Sequence, residues 1–104
     1  MAFADNLKAL PPVAHLAALE LLDAAGTVVA RIENKPGQAG SLAVYAALAA
    51  KHGALNAAAA QEGLQLYAEH TADAEANPGK HPNIDRLIDL VRNNQSLAAR
   101  TIAA

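Results

Sequence analysis

The fold of this chain is decided at the segment Asn34–Ser41, which reads NKPGQAGS. Residues before this segment alternate in the manner of strands, whereas residues after it follow helical spacing. Proline and two glycines make the segment a loop, and Ser41 is a favourable N-cap for a following helix. The segment therefore predicts a change from strand to helix, and with it an α+β chain.

Two strands are predicted before this loop. His15–Leu22 alternates in character, and Thr27–Ile32 is β-branched at four of its six positions, which favours a strand. Between them, Asp23–Gly26 supplies turn residues, with Gly26 free to take a positive φ. We therefore predict an antiparallel hairpin.

Three helices are predicted after the loop. The first, capped by Ser41, spans Leu42–His52 and is apolar on nearly every side, so it should be buried. The second spans Ala57–Ala76 and is capped by Asn56, and the third is capped by Asn83. These three helices should cover one face of the sheet.

Shorter elements are predicted near both ends of the sequence. Asp5 caps a helical turn over Asn6–Leu10, and Leu97–Ile102 alternates as a last strand that pairs with the hairpin. A hairpin alone is marginally stable, so a third strand and a helical cover make physical sense. Residues 1–104 therefore predict a single domain, in which a small antiparallel sheet, made of the N-terminal hairpin and the C-terminal strand, packs against three helices.

The composition predicts a thin core. Alanine supplies 28 residues, whereas leucine, isoleucine and valine together supply only 23. Each alanine buries little apolar area. Helix faces made of small residues favour close packing or self-association, so a homodimer is expected.

Charge and residue usage exclude several classes of protein. The net charge is −2, the eight lysines and arginines occur singly, and aromatic residues make up 3% of the chain, so nucleic-acid binding is not expected. The absence of cysteine excludes disulfides and thiolate sites. Met1–Leu10 lacks the apolar core of a signal peptide, and the longest uncharged run, Pro36–Ala50, is too short to span a membrane. A soluble, cytoplasmic protein without a membrane partner is expected.

The first candidate site is the organising loop itself. Gly37, Gly40 and Ser41 precede a buried helix, and Lys35 lies just upstream. Free N–H groups at a helix N-terminus attract phosphate or carboxylate, so these four residues predict a site for a small anion. The segment matches neither a Walker motif nor a dinucleotide fingerprint. The alternative is a plain connection, in which glycine serves backbone geometry and Ser41 serves as a cap.

The second candidate site lies at the end of the long helix and in the Gly/Pro loop after it. His70 and Asp73 are three residues apart on the helix, and Lys80 and His81 come next in the loop. Histidine and carboxylate are metal ligands, so His70, Asp73 and His81 predict a metal site. Alternatively, Lys80 and His81 neutralise the acidic helix end, or extend the anion site. His70 with Asp73 or Glu69 would also form an acid–base pair.

Three segments, Asn34–Ser41, Tyr67–Thr71 and Asn77–Asp85, resemble a family of short bacterial proteins that is known only as a conserved domain of unknown function. The resemblance extends over nearly the whole chain and implies a stand-alone bacterial protein. It implies no activity, cofactor or catalytic residue. Three functions therefore stay open: a self-associating binding or interaction protein, an anion-binding or phosphate-binding module, and a metal-assisted or acid–base enzyme. No cofactor is predicted.

Overall fold

The computed structural model describes residues 2–104. Within them it contains a three-stranded antiparallel sheet and five helices, which confirms the α+β class. In chain order the elements are α1 (Phe3–Ala9), β1 (Leu16–Leu22), β2 (Val28–Glu33), α2 (Ala39–His52), α3 (Ala57–Tyr67), α4 (Glu69–Ala76), α5 (Pro82–Asn93) and β3 (Ala98–Ala103).

The central strand of the sheet is β1, with β2 on one side and β3 on the other. Leu19 of β1 lies opposite Ile32 of β2 and Thr101 of β3. The predicted hairpin and the predicted pairing of the last strand with it are therefore confirmed. Each strand begins one residue later than the alternation predicts.

The helix α2 is central, as its apolar character predicts, and it contacts β1, β2 and α3. The close approach of α3 to α2 and α5 depends on Gly63 of α3, where an added Cβ would lie 2.8 Å from Leu48 Cδ1 and 2.7 Å from Leu87 Cδ1. The largest fully buried side chains belong to both the sheet and the helices: Leu19, Leu21, Ile32, Leu42, Val44, Tyr45, Leu48, Leu55 and Leu87. Sheet and helices therefore share one core.

The start of α2 differs from the prediction. The helix begins at Ala39, so Ser41 lies in its first turn and is not its N-cap. Gln38 holds the cap position without capping the helix, because its Oε1 accepts the N–H of Glu33 at 3.0 Å. The Ser41 hydroxyl is thereby free for another partner.

The predicted long helix is two helices, because Ala68 interrupts it at φ 52° and ψ −116°. Side chains satisfy carbonyls at the end of α3. Thr71 Oγ1 donates to Leu64 O at 2.6 Å, and Asn6 Nδ2 donates to Leu66 O at 2.9 Å. The predicted cap at Asn56 is confirmed, since its side chain accepts the N–H of Ala59 at 2.8 Å. The number of three helices was therefore wrong.

The predicted caps at Asn83 and Asp5 were also wrong. His81 occupies the N-cap position of α5 and Pro82 comes next, because proline at the start of a helix loses no hydrogen bond and has a helical φ. The helix α1 begins at Phe3, which places Asp5 in its first turn. Phe3 and Leu7 of this helix pack against the core.

Candidate functional site

The two loops that the sequence singles out meet across one cleft, with a volume of about 410 Å³. Six of the residues predicted for a site line it: Gly37, Gly40, Ser41, His70, Lys80 and His81. The segments 34–41 and 77–83 are far apart in sequence, and the packing of α2, α4 and α5 brings them together around this cleft.

One wall of the cleft is the first turn of α2. The N–H groups of Gly40 and Ser41 find no acceptor within residues 2–104. The Ser41 hydroxyl accepts a hydrogen bond from Tyr67 Oη at 2.6 Å, so its own hydrogen remains available to a ligand. Burial raises the pKa of Tyr67, which keeps this phenol protonated as a donor. The wall thus presents donors.

The opposite wall is held in place by Asp73. Its Oδ2 atom lies 2.5 Å from His81 Nε2 and 3.0 Å from Lys80 Nζ. The hydrogen bond from His81, and after it that from Lys80, lowers the pKa of the Asp73 carboxyl from 3.8 to about 2. The other oxygen, Oδ1, accepts from Asn77 Nδ2 at 3.1 Å. Lys80 therefore neutralises the acidic end of the helix and His81 hydrogen-bonds to it, in line with one of the alternatives that the sequence left open.

A third wall is aromatic. The rings of Phe3 and Tyr67 stack with centroids 5.1 Å apart and planes 18° from parallel. His70 meets Phe3 edge-on, also at 5.1 Å, and its centroid is 5.9 Å from that of His81. The sequence prediction omitted Phe3 and Tyr67 from the site. The spacing of Tyr67 and His70, three residues apart, could have indicated that Tyr67 lies near the site. Nothing in the sequence around Phe3 indicated that this residue lines the cleft.

The floor at the start of α5 is fixed by a buried phenol. Tyr45 is fully buried, and its hydroxyl donates to Asn83 O at 2.5 Å. Arg86 Nη1 donates to Tyr45 Oη at 3.2 Å and to Asn83 Oδ1 at 2.9 Å. Burial raises the pKa of Tyr45 to about 12, so the phenol is neutral and remains a donor near pH 7. These bonds tie α5 to α2 and thereby set the distance between the two walls.

Two predicted site residues do not line the cleft. Lys35 forms an ion pair with Glu33, with Nζ 3.0 Å from Oε2, and Asp73 stands behind His81. The acid–base pairing also differs from the sequence argument, since the carboxylate of Asp73 holds His81 and not His70. Within residues 2–104, no group of three or more histidines and carboxylates is placed to hold a metal ion. The metal site stays a prediction.

These features define a small α+β protein with a cleft lined by hydrogen-bond donors between two loops. No helix of residues 2–104 has both the length and the apolar character to cross a membrane. A family model described as "uncharacterized protein conserved in bacteria", DUF2322, matches residues 3–101. The chain therefore belongs to the DUF2322 family, in agreement with the resemblance. The curated proteins and the solved structures yield no match.

Proposed function

We propose that this protein binds a small organic anion, through its carboxylate or phosphate group, in the cleft. One observation carries the proposal. Among residues 2–104, the lining contains no aspartate or glutamate, whereas six of its side chains carry hydrogen-bond donors: Ser41, Tyr67, His70, Lys80, His81 and Asn83. A concave site whose polar groups are donors favours a ligand that is rich in acceptors. The oxygen atoms of carboxylate and phosphate groups are strong acceptors of hydrogen bonds.

Several donors keep bonding capacity after their internal contacts are counted, although Tyr67 uses its one O–H on Ser41. Lys80 Nζ makes one ion pair, with Asp73, and an ammonium group has three N–H donors. The free N–H groups of Gly40 and Ser41 add to these at the positive end of the α2 dipole. Asp73 offsets part of the positive charge from behind the wall, so the ligand is held by hydrogen bonds as well as by charge.

The aromatic wall determines what else the ligand carries. Phe3, Tyr67 and His70 form a contiguous ring surface beside the donors. The volume of about 410 Å³ lies within the range of small-molecule sites, roughly 300–1,000 Å³. Ring faces bind planar apolar groups. The ligand class is therefore an anionic group on a planar or apolar body, and inorganic phosphate would fill only part of the cleft.

The proposal is tested by isothermal titration calorimetry with four compounds: phenyl phosphate, benzoate, inorganic phosphate and neutral benzamide. Phenyl phosphate and benzoate should bind, inorganic phosphate should bind more weakly, and benzamide should not bind measurably. Binding of benzamide as tight as that of benzoate would show that charge is not recognised. Heat from none of the four would reject the proposal.

Two lysines provide a matched pair of variants. Lys80 and Lys35 each form one ion pair at 3.0 Å, and their side chains are 60% and 59% exposed, but only Lys80 lines the cleft. Lys80→Gln should weaken the binding of phenyl phosphate about fivefold, since an exposed charge contributes up to about 1 kcal/mol. Lys35→Gln should leave binding unchanged. An equal loss of affinity in both variants would mean that binding depends on the net charge of the protein and not on the cleft.

A further inference from the structure

The sheet has two edge strands, and they differ in how they are protected. At the outer edge of β2, the N–H of Glu33 donates to Gln38 Oε1 and its carbonyl accepts from the N–H of Lys35, each at 3.0 Å. The pairing of β1 with β2 is also irregular between Leu21 and Leu22, which indicates a bulge near Val29. Capped backbone groups and bulges are devices that prevent an edge strand from pairing with another chain. The β2 edge is therefore closed.

The β3 edge is less protected within residues 2–104. Its one backbone cap lies just before the strand, where Leu97 and Leu55 exchange hydrogen bonds at 2.9 and 3.0 Å. The irregularity between Leu16 and Ala18 in its pairing with β1 adds a residue to β1 and not to β3. Alternate residues of an edge strand bond its neighbour, and the others point outward. Because the N–H of Ala104 donates to His15 O, the backbone N–H and C=O groups of even-numbered residues point towards β1, and those of odd-numbered residues point away from it. Backbone groups of Ala99, Thr101 and Ala103 therefore lie on the open edge. The strand contains no proline or lysine, and its packing is chiefly against β1.

The one charged side chain of β3 turns away from this edge. Arg100 lies on the outer face of the sheet, where its Nη2 is 2.5 Å from Glu20 Oε1. Arg31 of β2 approaches the same carboxylate from the other side, at 3.0 Å from Oε2. The charge of Arg100 is thus neutralised inside its own sheet. Because the Arg100 side chain is paired within its own sheet, it does not block the open edge, and this edge is suited to pairing with another strand.

We infer that β3 pairs antiparallel with β3 of a second copy, which joins the two sheets into one of six strands. The edge is self-complementary under a twofold axis, because its outward residues are symmetric about Thr101. In this register Thr101 faces Thr101 of the second copy, and Ala99 faces Ala103. Arg100 then lies opposite Ile102, so its aliphatic stem contacts an apolar side chain. A shift of one residue at the axis would place Arg100 opposite Arg100, and like charges directly opposite are unfavourable.

The register is tested with single-cysteine variants, which are unambiguous because the chain has no cysteine of its own. Directly opposite residues of a hydrogen-bonded antiparallel pair have Cα atoms about 5.5 Å apart, within reach of a disulfide. Thr101→Cys should therefore form a covalent dimer under a mild oxidant. Ala103→Cys should not, because its counterpart would lie about 14 Å along the strand at about 3.4 Å per residue. Val28→Cys, at an exposed position of the closed edge, should also stay monomeric.

Light scattering without oxidant provides the second measurement. The wild-type mass should rise from 10.7 kDa towards twice that value as concentration increases. Thr101→Pro removes only an outward N–H, so it should stay monomeric with an unchanged circular dichroism spectrum, whereas Thr101→Val should dimerise. If Thr101→Pro fails to fold, the cysteine series decides alone. A wild type that stays monomeric, or equal cross-linking of Thr101→Cys and Val28→Cys, would overturn the inference.

Discussion

Replacement of Ala68 by glycine should stabilise this protein, although glycine usually weakens helical regions. Ala68 has φ 52° and ψ −116° and links α3 to α4. These angles match the first central position of a type II′ turn, which glycine adopts without the steric cost that a Cβ imposes. Ala68→Gly therefore removes strain at the point where the chain turns towards the cleft.

The size of the effect is the sum of three contributions. A non-glycine residue in such a conformation costs about 1–3 kcal/mol. Against this, glycine adds flexibility to the unfolded chain worth about 0.4–1 kcal/mol, and the half-buried methyl group of Ala68 contributes a few tenths of a kcal/mol. The free energy of unfolding should therefore rise by about 1 kcal/mol, which corresponds to an increase in Tm of about 4–8 °C for a domain of this size.

The assay is urea unfolding monitored by circular dichroism, with Ala72→Gly as the control. Ala72 is exposed and lies within α4, where glycine should cost about 1 kcal/mol. Replacement of alanine by glycine should therefore raise the free energy of unfolding at position 68 and lower it at position 72, four residues away. If Ala68→Gly destabilises the protein as much as Ala72→Gly does, Ala68 is not strained and the account of the helix break is wrong.

Two further predictions concern packing and pH. Gly63→Ala should lower the free energy of unfolding, measured by urea denaturation, by about 1 kcal/mol. The added methyl group overpacks against Leu48 and Leu87 at a cost of about 1–3 kcal/mol, which exceeds the gain of about 1 kcal/mol in helix propensity. A variant more stable than the wild type would contradict the close packing. The pKa of Asp73 is lowered from 3.8 to about 2 in the folded state, so the stability it contributes is present above pH 4 and is lost as the pH falls towards 2. In thermal unfolding, Asp73→Asn should show a smaller fall in Tm than the wild type over this range, and equal falls would show that Asp73 is not the group responsible.

The sequence predicted the sheet well because its signals are local. Alternation and β-branched residues indicated each strand to within a residue at its start, and the apolar character of α2 indicated a buried helix. The break at Ala68 could not be predicted, because alanine is the strongest helix former and is unexpected at a positive φ. Its position depends on Thr71 and Asn6, which bond the carbonyls at the end of α3. The bond from Asn6 joins residues 60 positions apart, so local sequence signals could not reveal it.

The candidate site was predicted in parts but not as a whole. Glycine and proline in two loops indicated segments 34–41 and 77–83, and the structure brings both to one cleft. Spacing alone could not tell that Lys35 turns to Glu33 or that Asp73 holds His81 and not His70. These partners depend on the direction in which each side chain leaves its element, and the interruption at Ala68 changes that direction for all of α4.

The most direct test of the anion site is an ¹⁵N NMR titration of the intact protein with phenyl phosphate, observed at every backbone amide. The N–H signals of Gly37, Gly40 and Ser41 should shift together and saturate with one dissociation constant, along with those of Lys80 and His81. The signal of Thr101, on the distant sheet edge, should not move. Shifts spread over all exposed basic residues, or no shift at Gly40 and Ser41 at saturating ligand, would contradict the account.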